Sequence, residues 1–199
     1  MSGEQHTVEE LTSQAIKQGA AAEQIIQDSF ISAMRIVGEK FGAGEIYIPE
    51  MLRAARAMKC GMEILRPLLV GDKVRTLAKV VIGTVKGDMH DIGKNLVAMM
   101  LEGSGFEVVD LGIDVPVNKF VDAVKQYRPR FLAMSALLTT TMAQMKMVIE
   151  ELEAAGLRQT VNVLVGGAPV NQVFADEIGA DGFGVNAGQA AELMKTMLN

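Results

Sequence analysis

The residues best suited to chemistry fall in one decapeptide, Lys86-Gly87-Asp88-Met89-His90-Asp91-Ile92-Gly93-Lys94-Asn95. It holds one of only two histidines in the 199 residues; the other, His6, lies in a polar leader. Neutral imidazole is a common metal ligand, and a carboxylate two residues away can take its second ring N–H. Such a carboxylate fixes the tautomer and strengthens the remaining nitrogen as a donor. Asp88 and His90 therefore suit a supported, metal-ligating imidazole. Spacing alone favours a loop histidine beside a capping aspartate, and also allows a divalent-ion site from Asp88, His90 and Asp91. A phosphate loop fits less well, because neither G-x-G-x-x-G nor G-x-x-x-x-G-K-[ST] occurs.

Three later segments are small and uncharged: Ser135-Ala136-Leu137-Leu138-Thr139-Thr140-Thr141, Gly166-Gly167-Ala168-Pro169 and Val185-Asn186-Ala187-Gly188. The first two have ordinary structural explanations, a threonine N-cap and a tight turn. Taken together they could wall a slot beside the imidazole, wide enough for a long and mostly neutral ligand.

These loops must be positioned by something. Short β-branched or apolar runs occur at 80–85, 106–111, 131–134, 161–165 and 182–185. Helical patterns lie between and after them, near 93–103, 117–127, 141–155, 171–178 and 188–198. Strands alternating with helices predict a doubly wound, Rossmann- or flavodoxin-like α/β domain with a five-stranded parallel sheet. In such sheets ligands bind beyond the carboxyl ends of the strands, where all four segments fall. Residues 8–71 instead read as helix almost throughout. Ile25, Ile26, Phe30, Ile31, Met34 and Val37 form one apolar stripe, and Met51, Leu52, Ala55, Met58, Met62 and Leu65 form another. Gly42 and Gly44 separate them, and Pro49 opens the second at its first turn. The expected organisation is an all-α helical bundle over 1–72 and an α/β domain over 73–199, joined at Gly71-Asp72-Lys73.

Composition removes other classes. Apolar residues make up 49% and charged residues 22%, which suits a globular chain. Net charge is −5, with no Lys/Arg block to grip phosphates, so no nucleic-acid partner is expected. Cys60 is the single cysteine, which excludes an intrachain disulfide and any multi-thiolate zinc site. The first residues do not read as a signal peptide, and no stretch is long enough for a bilayer span. A cytoplasmic protein without membrane contact is expected. The 14 methionines are read as helix-core packing.

Asp88-x-His90-x-x-Gly93, then Ser135-x-Leu137, then Gly166-Gly167 resembles the three-part cobalamin-binding signature of corrinoid proteins. Val85 to Asn95 is similar to the matching segment of cobalamin-dependent methionine synthase. Phe41-Gly42-Ala43-Gly44 and Tyr47-Ile48-Pro49-Glu50-Met51 resemble that family's helical cap. The resemblance covers roughly residues 10 to 198, with the size of the small corrinoid methyl carriers of anaerobic methyltransferase systems.

The resemblance implies cobalamin as cofactor, with His90 as the lower axial ligand of cobalt. Asp88 would hold His90, and Thr141 would stand where methionine synthase has a serine that completes this relay. Met89, Asp91, Ile92 and Gly93, with Ser135, Leu137 and Thr139, Gly166 and Gly167, and Asn186 and Ala187, would line the slot for the cofactor. Phe41 and Ile48 would form an apolar lid over its methyl-bearing face, with 71–73 as hinge. The implied function is a non-catalytic carrier cycling between Co(I) and methyl-Co(III). Its partners would be a substrate-specific methyltransferase, a second methyltransferase to tetrahydrofolate or a thiol coenzyme, and a reductive activating protein. A cobalamin-dependent sensor and an adenosylcobalamin mutase subunit are the alternatives; the cap speaks against the mutase. Donor, acceptor, oligomeric state and native corrinoid tail are not legible.

Overall fold

A computed structural model describes residues 3–68 and 76–198. The expected linker Gly71-Asp72-Lys73, and the boundary drawn there, lie outside the described residues. The chain divides into two compact units, Met1–Thr76 with Gly103–Gly105, and Leu77–Glu102 with Phe106–Asn199.

The first unit is helical: α1 (Gly3–Lys17), α2 (Ala22–Ile25), α3 (Ser32–Gly42) and α4 (Ile48–Leu65). Residues 8–71 are thus less continuous than the apolar pattern suggests. Gly19 takes a left-handed conformation that stops α1. Between α2 and α3, Ile26–Ile31 winds as a π-helix. This explains the apolar stripe there, because Ile25/Phe30 and Ile26/Ile31 are five residues apart. An α-helix would splay such pairs, whereas i→i+5 winding brings them closer in angle. Ala22, Ile25, Ile26 and Leu65 bury together, backed by Ile16, Phe30, Ile31 and Met62. Helix α4 packs on α1 and α3. Gly61 sits at a tight point, where a Cβ would lie 2.3 Å from the Phe30 ring and 3.0 Å from Val8. Phe41 is half-buried at the end of α3 and Ile48 exposed at the start of α4.

The second unit alternates β1 (Lys79–Thr84), α5 (Ile92–Gly103), β2 (Glu107–Asp110), α6 (Val117–Tyr127), β3 (Phe131–Ser135), α7 (Ala143–Ala154), β4 (Asn162–Gly166), α8 (Gln172–Glu177), β5 (Gly182–Gly184) and α9 (Ala187–Thr196). All pairings are parallel, in the order β2-β1-β3-β4-β5. The five-stranded sheet and its helices match the expected fold class, with element ends shifted by one or two residues.

Right-handed crossovers explain the layers. The chain moves one way from β1 to β2 and the other way from β2 through β5. So α6, α7 and α8 share one face, where Phe120, Val124, Met145, Ile149 and Ala175 bury with Val81, Leu132 and Val163. Alternate strand residues Val80, Ile82, Phe131 and Leu164 are buried on the opposite face. Residues buried on both sides make the strands read as nearly continuous apolar runs. In this strand order the switch point lies between β1 and β3, the place where ligands bind in sheets of this kind.

Candidate functional site

The decapeptide leaves β1 at the switch point. Val85 extends the strand by one bridge to Val115. A tight turn follows, in which the Asp88 N–H donates to Val85 O at 3.1 Å and Gly87 adopts φ +82°. That turn places Asp88 at the carboxyl end of β1, where it is fully buried, and His90 two residues before α5.

Asp88 is the centre of the arrangement. Its Oδ1 lies 2.7 Å from His90 Nδ1 and accepts the His90 backbone N–H at 3.1 Å. Its Oδ2 accepts the Leu137 N–H at 2.7 Å, the Leu138 N–H at 3.2 Å and the Thr141 hydroxyl at 2.9 Å. Burial alone would push this carboxyl up, since it penalises the charged form. Donation from Leu137 N–H, from the His90 ring and backbone N–H, and from Thr141 outweighs it and holds Asp88 well below the usual carboxylate range. The group is therefore an ionised, buried anchor that ties the β1 loop to the β3 loop at the switch point.

His90 shares the anchor but not the burial: its side chain is 51% exposed. Nδ1 is committed to Asp88, so Nε2 is the nitrogen left for a metal. The sequence expectation of an aspartate-supported imidazole matches this geometry. The divalent-ion alternative does not. Both Asp88 oxygens are spent, Asp91 accepts the Asn95 amide at 3.1 Å, and no cluster of three ligating side chains occurs among the described residues. One free imidazole nitrogen suits a metal whose remaining ligands come from a macrocycle. The expected threonine N-cap is also absent. Met142 precedes α7 without a capping side chain, and the buried Thr141 hydroxyl turns to Asp88 instead.

The other candidates divide by environment. Met89 and Ile92 are about two-thirds exposed, and Ile113, Leu137, Leu138 and Val185 also stand out from the strand ends. That is an apolar rim a flat hydrophobic ligand could cover. Gly93 opens α5 onto free space: a Cβ there would meet nothing within 4 Å. Gly167 behaves differently. Its φ is +126°, and a Cβ would stand 1.8 Å from Ala136 O, so the close approach is to the protein's own β3 loop. A Cβ on Gly166 would stand 3.2 Å from Gly184 O. Ser135 ends β3 half-buried, Thr139 and Asp91 are exposed, and Ala187 is buried as the first residue of α9. Asn186 caps α9, its side chain accepting the Gln189 N–H at 2.9 Å.

Several contributors carry little or no signal in the sequence. Leu138 acts through its backbone, so its side chain gives no sign of it. Thr84, fully buried, donates its hydroxyl to His90 O at 2.9 Å. Buried Lys94 pairs with Asp110 and donates to Asn95. Asp114 contacts the turn from the β2 loop. Only a charged residue such as Lys94 at an apolar helix position could have signalled itself.

Comparison with known proteins identifies the family. Two family profiles, each described as a B12 binding domain, match residues 78–193 and 1–66. The trimethylamine corrinoid protein of Methanosarcina barkeri is 46% identical over 96% of this chain and 89% of its own length. A dimethylamine corrinoid protein of Methanosarcina mazei is 41% identical over 92% and 85%. The methanol:cobalamin methyltransferase complex of Methanosarcina barkeri contains a chain that superposes with a TM-score of 0.89 at 34% identity, covering 98% of this chain and 75% of that one. With its B12 binding domain, its paired Asp88 and His90, and relatives aligned along nearly all its length, this chain belongs to the family of B12-binding corrinoid proteins.

Proposed function

We propose that the chain is the methyl-carrying component of a corrinoid-dependent methyltransferase system, in which His90 would ligate the cobalt. The observation that carries this is the buried Asp88 carboxylate, which holds His90 by Nδ1 and leaves Nε2 of the half-exposed ring free. When bound, the corrinoid supplies a cobalt centre that takes up and releases a methyl group. The residues do the rest. Asp88 orients the imidazole by accepting from Nδ1–H. Leu137 and Leu138 amides and Thr141 keep Asp88 ionised. Gly93 leaves room beside α5 for the cofactor, and the Met89, Ile92 and Leu137 side chains offer it an apolar bed.

A methyltransferase is the first partner, as the likeness to a chain of the methanol:cobalamin methyltransferase complex supports. A second methyltransferase toward tetrahydrofolate or a thiol coenzyme, and a reductive activating protein, complete the proposed cycle. The relatives named for methylamines share more identity with this chain than the methanol-complex chain does, which supports a methylated amine as donor. Among the described residues no helix is long and apolar enough to cross a membrane.

The test is reconstitution of the full chain with hydroxocobalamin, gel filtration, and electron paramagnetic resonance of the Co(II) form using protein labelled with ¹⁵N-histidine. One retained corrinoid per chain, with coupling to a spin-½ nitrogen, is the expected result. A chain that elutes without corrinoid overturns the carrier reading. Methyl uptake from mono-, di- and trimethylamine, methanol and a betaine, each with its methyltransferase, then identifies the donor.

A further inference from the structure

The turn that carries Asp88 is held from a second side. Asp114 lies 27 residues away on the β2–α6 loop, yet its Oδ1 accepts the Gly87 N–H at 2.7 Å. Its own N–H donates to Asp88 O at 3.0 Å. The two bonds bracket the Gly87–Asp88 segment. Neighbouring backbone prepares them: the Thr84 N–H donates to Gly112 O at 3.0 Å, and the Val115 N–H to Thr84 O at 2.9 Å. The β2 loop is thereby laid alongside the end of β1.

Two features mark Asp114 as placed for this contact. It is one of only two non-glycine residues at positive φ among the described residues, at +51°. Aspartate tolerates that region better than most side chains but still adopts it at a cost, so the surroundings must select it. The local turn also leaves work for it. Asp88 N–H closes onto Val85 O, and Gly87 N–H, next to it, finds its acceptor in Asp114.

We propose that Asp114 is a positioning residue for the axial imidazole: by clipping Gly87 and Asp88 it fixes where the Asp88 carboxylate, and through it His90, stands. The inference rests on the reading of His90 as the cobalt ligand. The β3 loop holds the carboxylate by its oxygens, and Asp114 holds the backbone behind it. Losing the clip lets the turn shift, and the Asp88 carboxylate and His90 with it. Asp114 is exposed, and exposed hydrogen bonds contribute little to global stability, so positioning and folding separate experimentally.

The experiment compares wild type, Asp114→Gly and Asp114→Asn as ¹⁵N-histidine-labelled, cobalamin-reconstituted full chains. Glycine keeps the backbone conformation and removes the acceptor; asparagine keeps an acceptor oxygen. The wild type must first show ¹⁵N coupling in the Co(II) spectrum, and its absence defeats the His90 assignment independently of Asp114. Given that coupling, Asp114→Gly is expected to lose at least half of the histidine-coordinated fraction, with corrinoid retention and apoprotein melting close to wild type. Asp114→Asn is expected to keep most of it. Should Asp114→Gly be insoluble, Asp114→Ala replaces it, its methyl having no acceptor to offer Gly87. A histidine-coordinated fraction equal to wild type in the glycine or alanine variant overturns the proposal, as does an equal loss in Asp114→Asn.

Discussion

Asp88 and Thr141, 53 positions apart, meet in a 2.9 Å hydrogen bond at the point where the sheet reverses its direction of winding. The Thr141 hydroxyl also lies 2.8 Å from Leu138 O. One hydroxyl proton serves one acceptor at a time, so Asp88 competes with a backbone carbonyl for it. The charged acceptor makes the stronger bond.

Removing that hydroxyl is therefore expected to be felt. Thr141→Val keeps the shape and loses the donor to a buried carboxylate, a change of about 1.5–3 kcal/mol. Thr141→Ser keeps the hydroxyl and should cost less. Urea unfolding of the two apoproteins checks the order; equal stabilities would show that the hydroxyl does not support Asp88.

Asp88→Ala removes an acceptor from several buried donors at once. Each donor left without a partner costs about 1–3 kcal/mol, although entering water will relieve some. A loss of at least ~2 kcal/mol in apoprotein stability is expected on that basis. Corrinoid affinity should fall by roughly 10–100-fold, as for other groups that orient a metal ligand. Equilibrium unfolding and a cobalamin titration report the two effects separately.

The depressed Asp88 pKa also sets a pH dependence. Unfolded, this carboxyl takes a proton near the ordinary value of about 3.9; folded, it resists until much lower pH. The unfolded state thus binds the extra proton in that interval. Asp88's contribution to stability is complete above about pH 5 and declines as pH falls below the unfolded value. Comparing wild type with Asp88→Asn between pH 6 and pH 3 should show a steeper decline in wild type. Parallel curves would mean that the carboxylate is not selectively stabilised.

Two glycines of the motif should respond in opposite ways. Gly167→Ala forces a Cβ against Ala136 O at a positive φ, so the apoprotein is expected to melt markedly lower or fail to fold. Gly93→Ala places a methyl in open space at the start of a helix. Its apoprotein melting should be unchanged or slightly raised, because alanine favours helix by up to ~1 kcal/mol over glycine. Under the proposed function the same substitution weakens cobalamin retention. Full retention by Gly93→Ala would remove Gly93 from the cofactor slot.

Local periodicity determines the alternation of strand and helix, and α6 lies where the apolar pattern places it. A carboxylate two residues from a loop histidine announces their pairing, because so short a spacing leaves the side chains within reach. What the sequence does not contain is the meeting of distant loops. Sheet order depends on crossover handedness and on burial of both faces, and only that order brings Leu137, Leu138 and Thr141 to Asp88. Two of those three contacts use backbone amides, which every residue but proline possesses and no side chain advertises. Gly167 illustrates the limit: its type signals a close approach, but only packing decides that the neighbour is Ala136 O. Residue chemistry names the ligand and its support; the fold decides which groups keep the support charged and in place.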